Sequence, residues 1–131
     1  MKILILGAGR VGSSLASTLS RQEYEVSIVD LNKDKLLRLQ EDYDLATEIG
    51  HASHPITLEK AGADEETIVL AVTNSDECNI TSCQIAKSKF NVKKTICRLS
   101  DSAYLESLEA FGKDNIDIAI GPENCFFNIE L

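Results

Sequence analysis

Three glycines near the amino terminus have a spacing that suits the binding of a phosphate group. Gly7, Gly9 and Gly12 form the pattern G-x-G-x-x-G. The pattern follows the apolar stretch Ile3–Leu6 and opens an amphipathic segment in which Val11 begins an apolar repeat. This context places the glycines between a strand and a helix, where the pattern is typical of dinucleotide binding.

Each glycine has a physical role in such a turn. Gly7 permits the tight turn, Gly9 lets a pyrophosphate approach the backbone, and Gly12 allows close packing of the helix on the sheet. The free N–H groups at the helix start then hold the phosphate oxygens. The helix dipole contributes only about 0.3–1 kcal/mol, so directed N–H bonds and steric access must supply most of the binding. The alternative is a bare backbone turn.

An acidic residue follows at the distance expected for ribose recognition. Asp30 ends the second apolar stretch and lies 18 residues after Gly12. A carboxylate there accepts hydrogen bonds from the 2′- and 3′-hydroxyls of a ribose and repels a 2′-phosphate. Leu31 and Asn32 follow, with no Arg, so NAD(H) is favoured over NADP(H). The alternative is that Asp30 caps the helix that starts near Lys33.

The elements that must position these residues are short stretches rich in Ile, Val and Leu, alternating with helical patterns. Continuously apolar strands are typical of a parallel sheet buried on both faces. The pattern predicts an α/β, Rossmann-type, doubly wound parallel sheet of six strands in the order 3-2-1-4-5-6. The predicted strands are Ile3–Leu6, Val26–Val29, a weaker Leu45–Ile49, Ile68–Val72, Thr95–Leu99 and Ile116–Ile120.

Some helix ends are also predicted from local residues. Pro55 opens a short helix that stops before Gly62, as Pro and Gly commonly do at these positions. Asp76 is predicted to cap the helix after the fourth strand. An apolar stripe over residues 104–111 predicts another helix, closed by Gly112.

Further polar residues follow the carboxyl ends of strands, where open α/β sheets bind ligands. Gly50 and His51 follow the third strand and are expected to border an adenine. Thr73 and Asn74 follow the fourth and are expected to border the central ribose or the nicotinamide end. Arg98 could face a phosphate or an acidic neighbour. Each residue has a plainer alternative, as a solvated loop residue, a turn former or a member of a surface ion pair.

Composition excludes several function classes. The chain has 131 residues, 44% of them hydrophobic, which suits one globular, soluble, cytoplasmic domain. A net charge of −8 argues against nucleic acid and against anionic lipid, because both require a basic face.

The cysteines and histidines do not indicate a metal site. The four cysteines lack C-x-x-C spacing, so we interpret them as small core residues of a reducing compartment, with disulfides as the alternative. His51 and His54 are close in sequence, but no carboxylate or thiolate is placed to complete a metal shell. We expect no metal ion.

The assembled motifs resemble the RCK or KTN (TrkA-N) domain family of regulators of bacterial potassium uptake. The likeness covers the whole chain. It is carried by MKILILGAGRVG, VDLNKDKLLRLQ, GHASHPITLEKAGADE and AVTNSDECNITSCQIAK. The third stretch is more specific than the glycine pattern, which many dehydrogenases share.

The resemblance implies a nucleotide-binding regulator without catalytic turnover. Its ligand would be NAD(H), or instead ATP or ADP, whose ribose would suit Asp30 equally well. The resemblance also implies homodimers, assembled into a ring beneath an integral-membrane potassium transporter at the inner face of the membrane. Many members carry an acid where His51 stands. The cofactor-binding residues that the resemblance implies are Gly7, Gly9, Arg10, Val11, Gly12, Asp30, Gly50, His51, Thr73, Asn74 and Arg98. We predict that Ala8 and Leu31, beside them in sequence, also bind the cofactor.

The end of the chain suggests either a longer protein with a further domain or pairing with a second copy. Residues 1–121 are expected to form the nucleotide-binding domain. Residues 122–131 are expected to start a crossover or dimerisation helix, because their apolar side chains have no local cover. The chain would then be the first domain of a longer protein, or would pair with a second copy.

Two other functions compete with the regulator. The chain could be the cofactor half of a dehydrogenase, because fold alone does not decide function. Hydride transfer needs an acid or base facing the nicotinamide, and no His or Lys pair follows Asn74 to supply it. The chain could also be an assembly module without a ligand, although the glycines and Asp30 argue against this.

Overall fold

The computed structural model describes residues 1–111 and 114–122, which form one parallel sheet with helices on both faces. The strands are β1 (Lys2–Leu6), β2 (Glu25–Asp30), β3 (Ala46–Ile49), β4 (Thr67–Ala71), β5 (Lys94–Arg98) and β6 (Ile118–Ile120). The helices are α1 (Arg10–Ser20), α2 (Lys33–Asp42), α3 (Pro55–Lys60), α4 (Asp76–Phe90), α5 (Ser102–Glu106) and α6 (Leu108–Phe111).

The strand order is β3-β2-β1-β4-β5-β6, which confirms the predicted doubly wound topology. In the centre of the sheet, Ile5 of β1 lies between Ile28 of β2 and Leu70 of β4. The order reverses between β1 and β4, so the loops after these two strands diverge and leave a crevice. Gly7, the first glycine of the turn, lines this crevice.

Two apolar layers cover the sheet. Ile3 and Ile5 of β1 point to the layer that contains α1 and α2, whereas Leu4 and Leu6 point to the layer that contains α3 and α4. All five residues of β4 are buried. The continuous apolar stretches therefore predicted correctly that the central strands have two buried faces.

The start of α4 differs from the prediction. Ser75, not Asp76, is the N-cap, and its hydroxyl accepts a hydrogen bond from the Cys78 N–H at 3.1 Å. Asp76 is the first helical residue, and its carboxylate accepts from the backbone N–H groups of Ser100 and Asp101, both at 2.8 Å. The capping residue lies one position earlier because its side chain must reach the third helical N–H.

The end of the sheet also differs in detail. The stripe over residues 104–111 forms two short helices, interrupted at Ser107, whose ψ of 12° departs from the helical value. The strand β6 starts at Ile118, and Ile116 is buried ahead of it. The predicted stop at Gly112 lies outside the described residues, as does the predicted helix segment 122–131 except for Pro122. Within the described ranges, no helix combines the length and apolarity needed to cross a bilayer.

The cysteines are only partly as predicted. Cys83 and Cys97 are buried core residues, whereas Cys78 is half-buried. A hydrogen bond with Cys97 and burial raise the pKa of the Cys83 thiol well above its ordinary value, so this thiol stays protonated. Cys125 lies outside the described residues.

Candidate functional site

A crevice of about 480 Å³ opens at the carboxyl edge of the sheet, over the switch point. Its volume lies in the range of small-molecule sites, about 300–1,000 Å³. Its walls come from the glycine turn, the ends of β2 and β4, the loop after β3 and the first turns of α4. The structure brings together at this crevice seven of the predicted residues: Gly7, Asp30, Leu31, Gly50, His51, Thr73 and Asn74.

The first glycine is required by the backbone. Gly7 has a φ of +107°, which side chains rarely allow, and its N–H donates to the Val29 carbonyl at 2.8 Å. A Cβ at Gly7 would also lie 3.0 Å from the backbone N of Thr73. The turn is therefore seated between the end of β2 and the end of β4.

The other two glycines of the motif have opposite surroundings. A Cβ on Gly12 would overlap the carbonyl oxygen of Gly7, because α1 begins directly against the turn. A Cβ on Gly9 would meet no protein atom within 4 Å. Gly12 is thus needed by the fold itself, whereas the space beside Gly9 is open to a ligand.

The start of α1 is suited to an anion. Gly9 is its N-cap, and no side chain caps the helix. The first N–H groups of a helix have no partner within the helix, and its positive end attracts negative charge. Ala8, Arg10 and Val11 flank this point without lining the crevice itself, and Arg10 is exposed.

Asp30 connects the glycine turn to β2. One carboxylate oxygen accepts from the Ala8 N–H at 2.9 Å, and the other accepts from the Asn32 N–H at 2.8 Å. Asn32 is the N-cap of α2, accepting from the N–H groups of Asp34 and Lys35, so Asp30 does not have the capping role. Each carboxylate oxygen can accept more than one hydrogen bond, so Asp30 retains capacity for ribose hydroxyls.

The loop after β3 carries a pair of stacked imidazoles. The rings of His51 and His54 lie 4.7 Å apart between centroids, at 19° between their planes. The His51 Nδ1 lies 3.3 Å from the Ser53 backbone N–H and 2.9 Å from its hydroxyl. Accepting the Ser53 N–H requires an unprotonated Nδ1, so a neutral His51 ring carries its proton on Nε2.

The first turns of α4 supply lining residues that sequence reasoning missed. Ser75, Cys78 and Thr81 lie three residues apart, which places them on one helix face, toward the crevice. That spacing, directly after a strand, is the signal that could have identified them. Glu77 also lines the crevice, and Ser53 joins from the loop after β3.

Glu77 has a second contact away from the crevice. Its carboxylate accepts a hydrogen bond from the Tyr104 hydroxyl at 2.8 Å. Its own backbone N–H, and then this hydroxyl, hold the pKa of Glu77 below its ordinary value. Glu77 is therefore ionised at neutral pH, and the crevice carries two carboxylates, those of Asp30 and Glu77.

Three further predicted site residues, Gly9, Gly12 and Arg98, are not among the residues that line the crevice. Arg98 does not line the crevice, and its backbone carbonyl accepts a hydrogen bond from the Asn79 side chain at 2.9 Å. Among the residues that the structure describes, no three or more His, Cys, Asp or Glu side chains are grouped so as to hold a metal ion.

The strand order, the switch-point crevice and the uncapped glycine turn define a Rossmann-type α/β domain with the topology of dinucleotide-binding proteins. The model of the TrkA-N domain family matches residues 3–122. The chain belongs to that family.

Curated relatives agree with this assignment. The Trk system potassium uptake protein TrkA of Vibrio alginolyticus is 44% identical over 126 residues, covering 94% of this chain and 28% of that protein. The protein of the same name from Halomonas elongata is 40% identical over 125 residues, covering 94% of this chain and 27% of that protein. The chain thus spans little more than a quarter of the length of these relatives.

Solved structures share the fold at low identity. The NAD(P)-binding domain of an exopolyphosphatase-related protein from Archaeoglobus fulgidus has a TM-score of 0.77 at 19% identity, covering 92% of this chain and 86% of that one. The Kef CTD of Shewanella denitrificans in AMP-bound form has a TM-score of 0.73 at 22% identity, over 90% and 71%. The GsuK channel bound to NAD has a TM-score of 0.72 at 19% identity, over 91% and 21%.

Proposed function

We propose that this chain is the NAD(H)-binding regulatory domain of a Trk-type potassium uptake system, and that the nucleotide gates transport by changing the conformation of the domain. The observation that carries the proposal is the uncapped glycine turn, which is open at Gly9 and joined to Asp30. These features serve a phosphate and a ribose respectively. A turn needed only for folding would not require open space beside Gly9.

The ligand is proposed to lie across the switch point. The pyrophosphate would rest on the backbone of Gly9 and the first N–H groups of α1. The adenosine ribose would bind Asp30, with the adenine beside Gly50 and His51. The other half of a dinucleotide would extend over Thr73 and Asn74.

The charges of the crevice favour NAD(H) over NADP(H). Asp30 would repel a 2′-phosphate, and Leu31 beside it supplies no positive charge. ATP or ADP is the alternative ligand, because the ribose contact to Asp30 would be the same. The NAD-bound channel and the AMP-bound domain with this fold are consistent with either class.

Regulation requires a partner that senses the bound state. We propose an integral-membrane potassium transporter subunit as the partner, with homodimers or a ring of dimers between it and the nucleotide, at the cytoplasmic face of the membrane. Gating would then be a coupling free energy between the nucleotide site and the transporter, equal in both directions. The Trk names of the relatives support this role over the cofactor domain of a dehydrogenase.

Calorimetric titration of the chain with NADH, NAD⁺, NADPH, ADP and ATP tests the proposal. We expect NADH or NAD⁺ to bind, NADPH to bind poorly, and Asp30→Ala to weaken binding by about tenfold or more through lost charge-assisted hydrogen bonds. Asp44→Ala is the matched control, because Asp44 is exposed and outside the crevice.

Two other outcomes would change the proposal. A preference for ADP or ATP would keep a nucleotide-dependent regulator but make energy charge its signal. Absence of binding by every nucleotide, in a chain shown to be folded by circular dichroism, would refute the nucleotide site and leave the glycines as a structural turn.

A further inference from the structure

One buried amide lies behind the crevice and belongs to none of its walls. Asn79, in the second turn of α4, has a side chain with no exposed surface. Burying an amide is unfavourable unless its hydrogen-bonding groups are paired. The hydrogen-bond partners of this side chain identify the parts of the fold that it holds in place.

The amide of Asn79 has every hydrogen-bonding group satisfied. Its Oδ1 accepts from the Thr73 backbone N–H at 3.0 Å and from the Thr73 hydroxyl at 2.7 Å. Its Nδ2 donates to the carbonyls of Thr73 at 3.1 Å and Arg98 at 2.9 Å. A backbone N–H can only donate, so the atom facing Thr73 N must be the oxygen, which fixes the orientation of the amide.

These bonds replace sheet pairing at the point where it stops. Pairing between β4 and β5 ends at Ala71 and Cys97, although β5 still pairs with β6 at Arg98. Beyond them the strands diverge toward the crevice, and the backbone groups of Thr73 and Arg98 need other partners. The Asn79 side chain acts there as an inserted peptide group, holding the two strand ends at a fixed separation.

Thr73 transmits this constraint to the glycine turn. A Cβ on Gly7 would lie 3.0 Å from both the N and the Cα of Thr73, so these backbones are in close contact. The Val72 N–H also donates to the Leu6 carbonyl at 2.9 Å, immediately before the turn. The turn therefore has two supports, Asp30 on the β2 side and Thr73 on the β4 side.

The Thr73 hydroxyl is committed to this support. It donates its one proton, with the Asn79 Oδ1 as its shorter contact, and it accepts from the Ser75 N–H at 3.2 Å. The Thr73 hydroxyl thus faces α4, whereas its methyl group lies beside Gly7, 3.2 Å from the position of a Cβ there.

From this geometry we infer that Asn79 is a positioning residue for nucleotide binding: through Thr73 it sets the β4 side of the phosphate-binding turn. The inference rests on the proposed nucleotide site. It goes beyond that site because Asn79 does not itself line the crevice and reaches it through Thr73.

The test compares two chemically identical substitutions at opposite edges of the sheet. Thr73→Val removes the hydroxyl bonded to Asn79. Thr95→Val removes a hydroxyl that donates to the Asn115 carbonyl at 2.7 Å, near the amino end of β5. Each of the two hydroxyls also accepts a backbone N–H, from Ser75 at 3.2 Å and from Asp117 at 3.1 Å respectively, so the two substitutions remove matched hydrogen bonds from a β-branched residue. We expect NADH affinity to fall about threefold to tenfold in Thr73→Val and less than about twofold in Thr95→Val.

A double-mutant cycle tests whether Asn79 acts through Thr73. Asn79→Ala should weaken NADH binding by about tenfold, and adding Thr73→Val should cause little further loss, because both changes break one support. Additive losses, or unchanged affinity in Asn79→Ala, would overturn the inference. If Asn79→Ala does not fold, the comparison of Thr73→Val with Thr95→Val decides, and equal affinities would overturn it.

A ligand-free measurement separates this inference from the nucleotide site. Amide hydrogen exchange of Gly7 and Ala8 should be faster in Thr73→Val than in Thr95→Val, once each is corrected for its global stability. If the wild-type chain binds no nucleotide, the proposed function fails while this exchange difference still tests the support of the turn. Equal exchange in the two variants would refute the support itself.

Discussion

The two edges of the sheet use polar groups in opposite ways. At the amino edge, Lys2 and Asp64 form a salt bridge of 2.6 Å, and Lys87 and Asp117 form one of 2.8 Å. The cavity at that edge, beside Lys2, has a volume of only about 110 Å³. At the carboxyl edge, the Asp30 carboxylate accepts hydrogen bonds from the backbone N–H groups of Ala8 and Asn32 and faces a crevice of about 480 Å³.

The difference distinguishes groups that serve the fold from groups available to a ligand. In the part of the chain that the structure describes, both salt bridges lie at the amino edge, where the charges neutralise each other. At the carboxyl edge, backbone contacts hold Asp30 in place and no side-chain cation neutralises it within the described residues. Hydroxyl donors of a ligand are complementary to this carboxylate, and phosphate oxygens are complementary to the uncapped start of α1.

The largest effect is expected at the glycine that the fold requires. Gly12→Ala should destabilise the chain by about 3 kcal/mol or more, because its Cβ would overlap the Gly7 carbonyl and the backbone must move. Thermal or urea unfolding followed by circular dichroism measures this loss. Stability close to that of the wild type would mean that α1 is not fixed against the turn.

A substitution at Gly9, in the middle of the glycine turn, should instead separate binding from folding. Gly9→Ala should change stability by less than about 1 kcal/mol, because its Cβ meets no protein atom within 4 Å. The same methyl group would occupy the space proposed for the pyrophosphate, so NADH affinity should fall by about tenfold or more. Calorimetry and unfolding on the same sample measure both quantities. Unchanged affinity would show that no phosphate approaches Gly9.

A substitution in the loop after β3 should cause a smaller loss of stability, which a second substitution nearby should relieve. A Cβ on Gly50 would lie 2.7 Å from the Thr57 hydroxyl oxygen, on the first turn of α3. Gly50→Ala should therefore cost about 1–2 kcal/mol of stability. Thr57→Ala vacates that space. The loss of stability caused by Gly50→Ala should therefore be smaller in the Thr57→Ala background than in the wild type. Full additivity would show that the two residues do not clash.

The smallest effect is expected at the amino edge, and it should disappear in acid. The hydrogen bond from Lys2, and then the Glu66 N–H, hold the pKa of Asp64 below its ordinary 3.8. Its contribution to stability is present at neutral pH and is lost as the pH falls through the lowered pKa. Asp64→Asn should thus lower the melting temperature slightly at neutral pH, with the difference shrinking toward strong acid.

The control for Asp64→Asn is its NADH affinity, which shows whether a change at the amino edge affects the carboxyl edge. NADH affinity at neutral pH should be the same in Asp64→Asn and the wild type, because Asp64 lies opposite the crevice. A clear loss of affinity would mean that the two edges are coupled through β1 and β4.

Local sequence patterns predicted much of the fold. Apolar stretches of four or five residues specified the strands, including the weaker Leu45–Ile49, which forms β3. Pro55 and Gly62 marked the limits of α3, and Gly62 has a φ of +87°. The cap of α4 was misplaced by one residue, because Ser75 and Asp76 are both common capping residues and only the backbone geometry distinguishes them.

The sequence by itself determined which edge of the sheet could bind a ligand. The glycine motif and Asp30 each lie at the carboxyl end of a predicted strand, and the alternation of strands and helices predicts that these ends share one edge. Only the tertiary structure decided how that edge is held together. The Asn79 side chain is hydrogen-bonded to Arg98, 19 residues away in sequence, and the Asp30 side chain is hydrogen-bonded to Ala8, 22 residues away. Such contacts depend on how helices dock on the sheet, and no local periodicity encodes that docking.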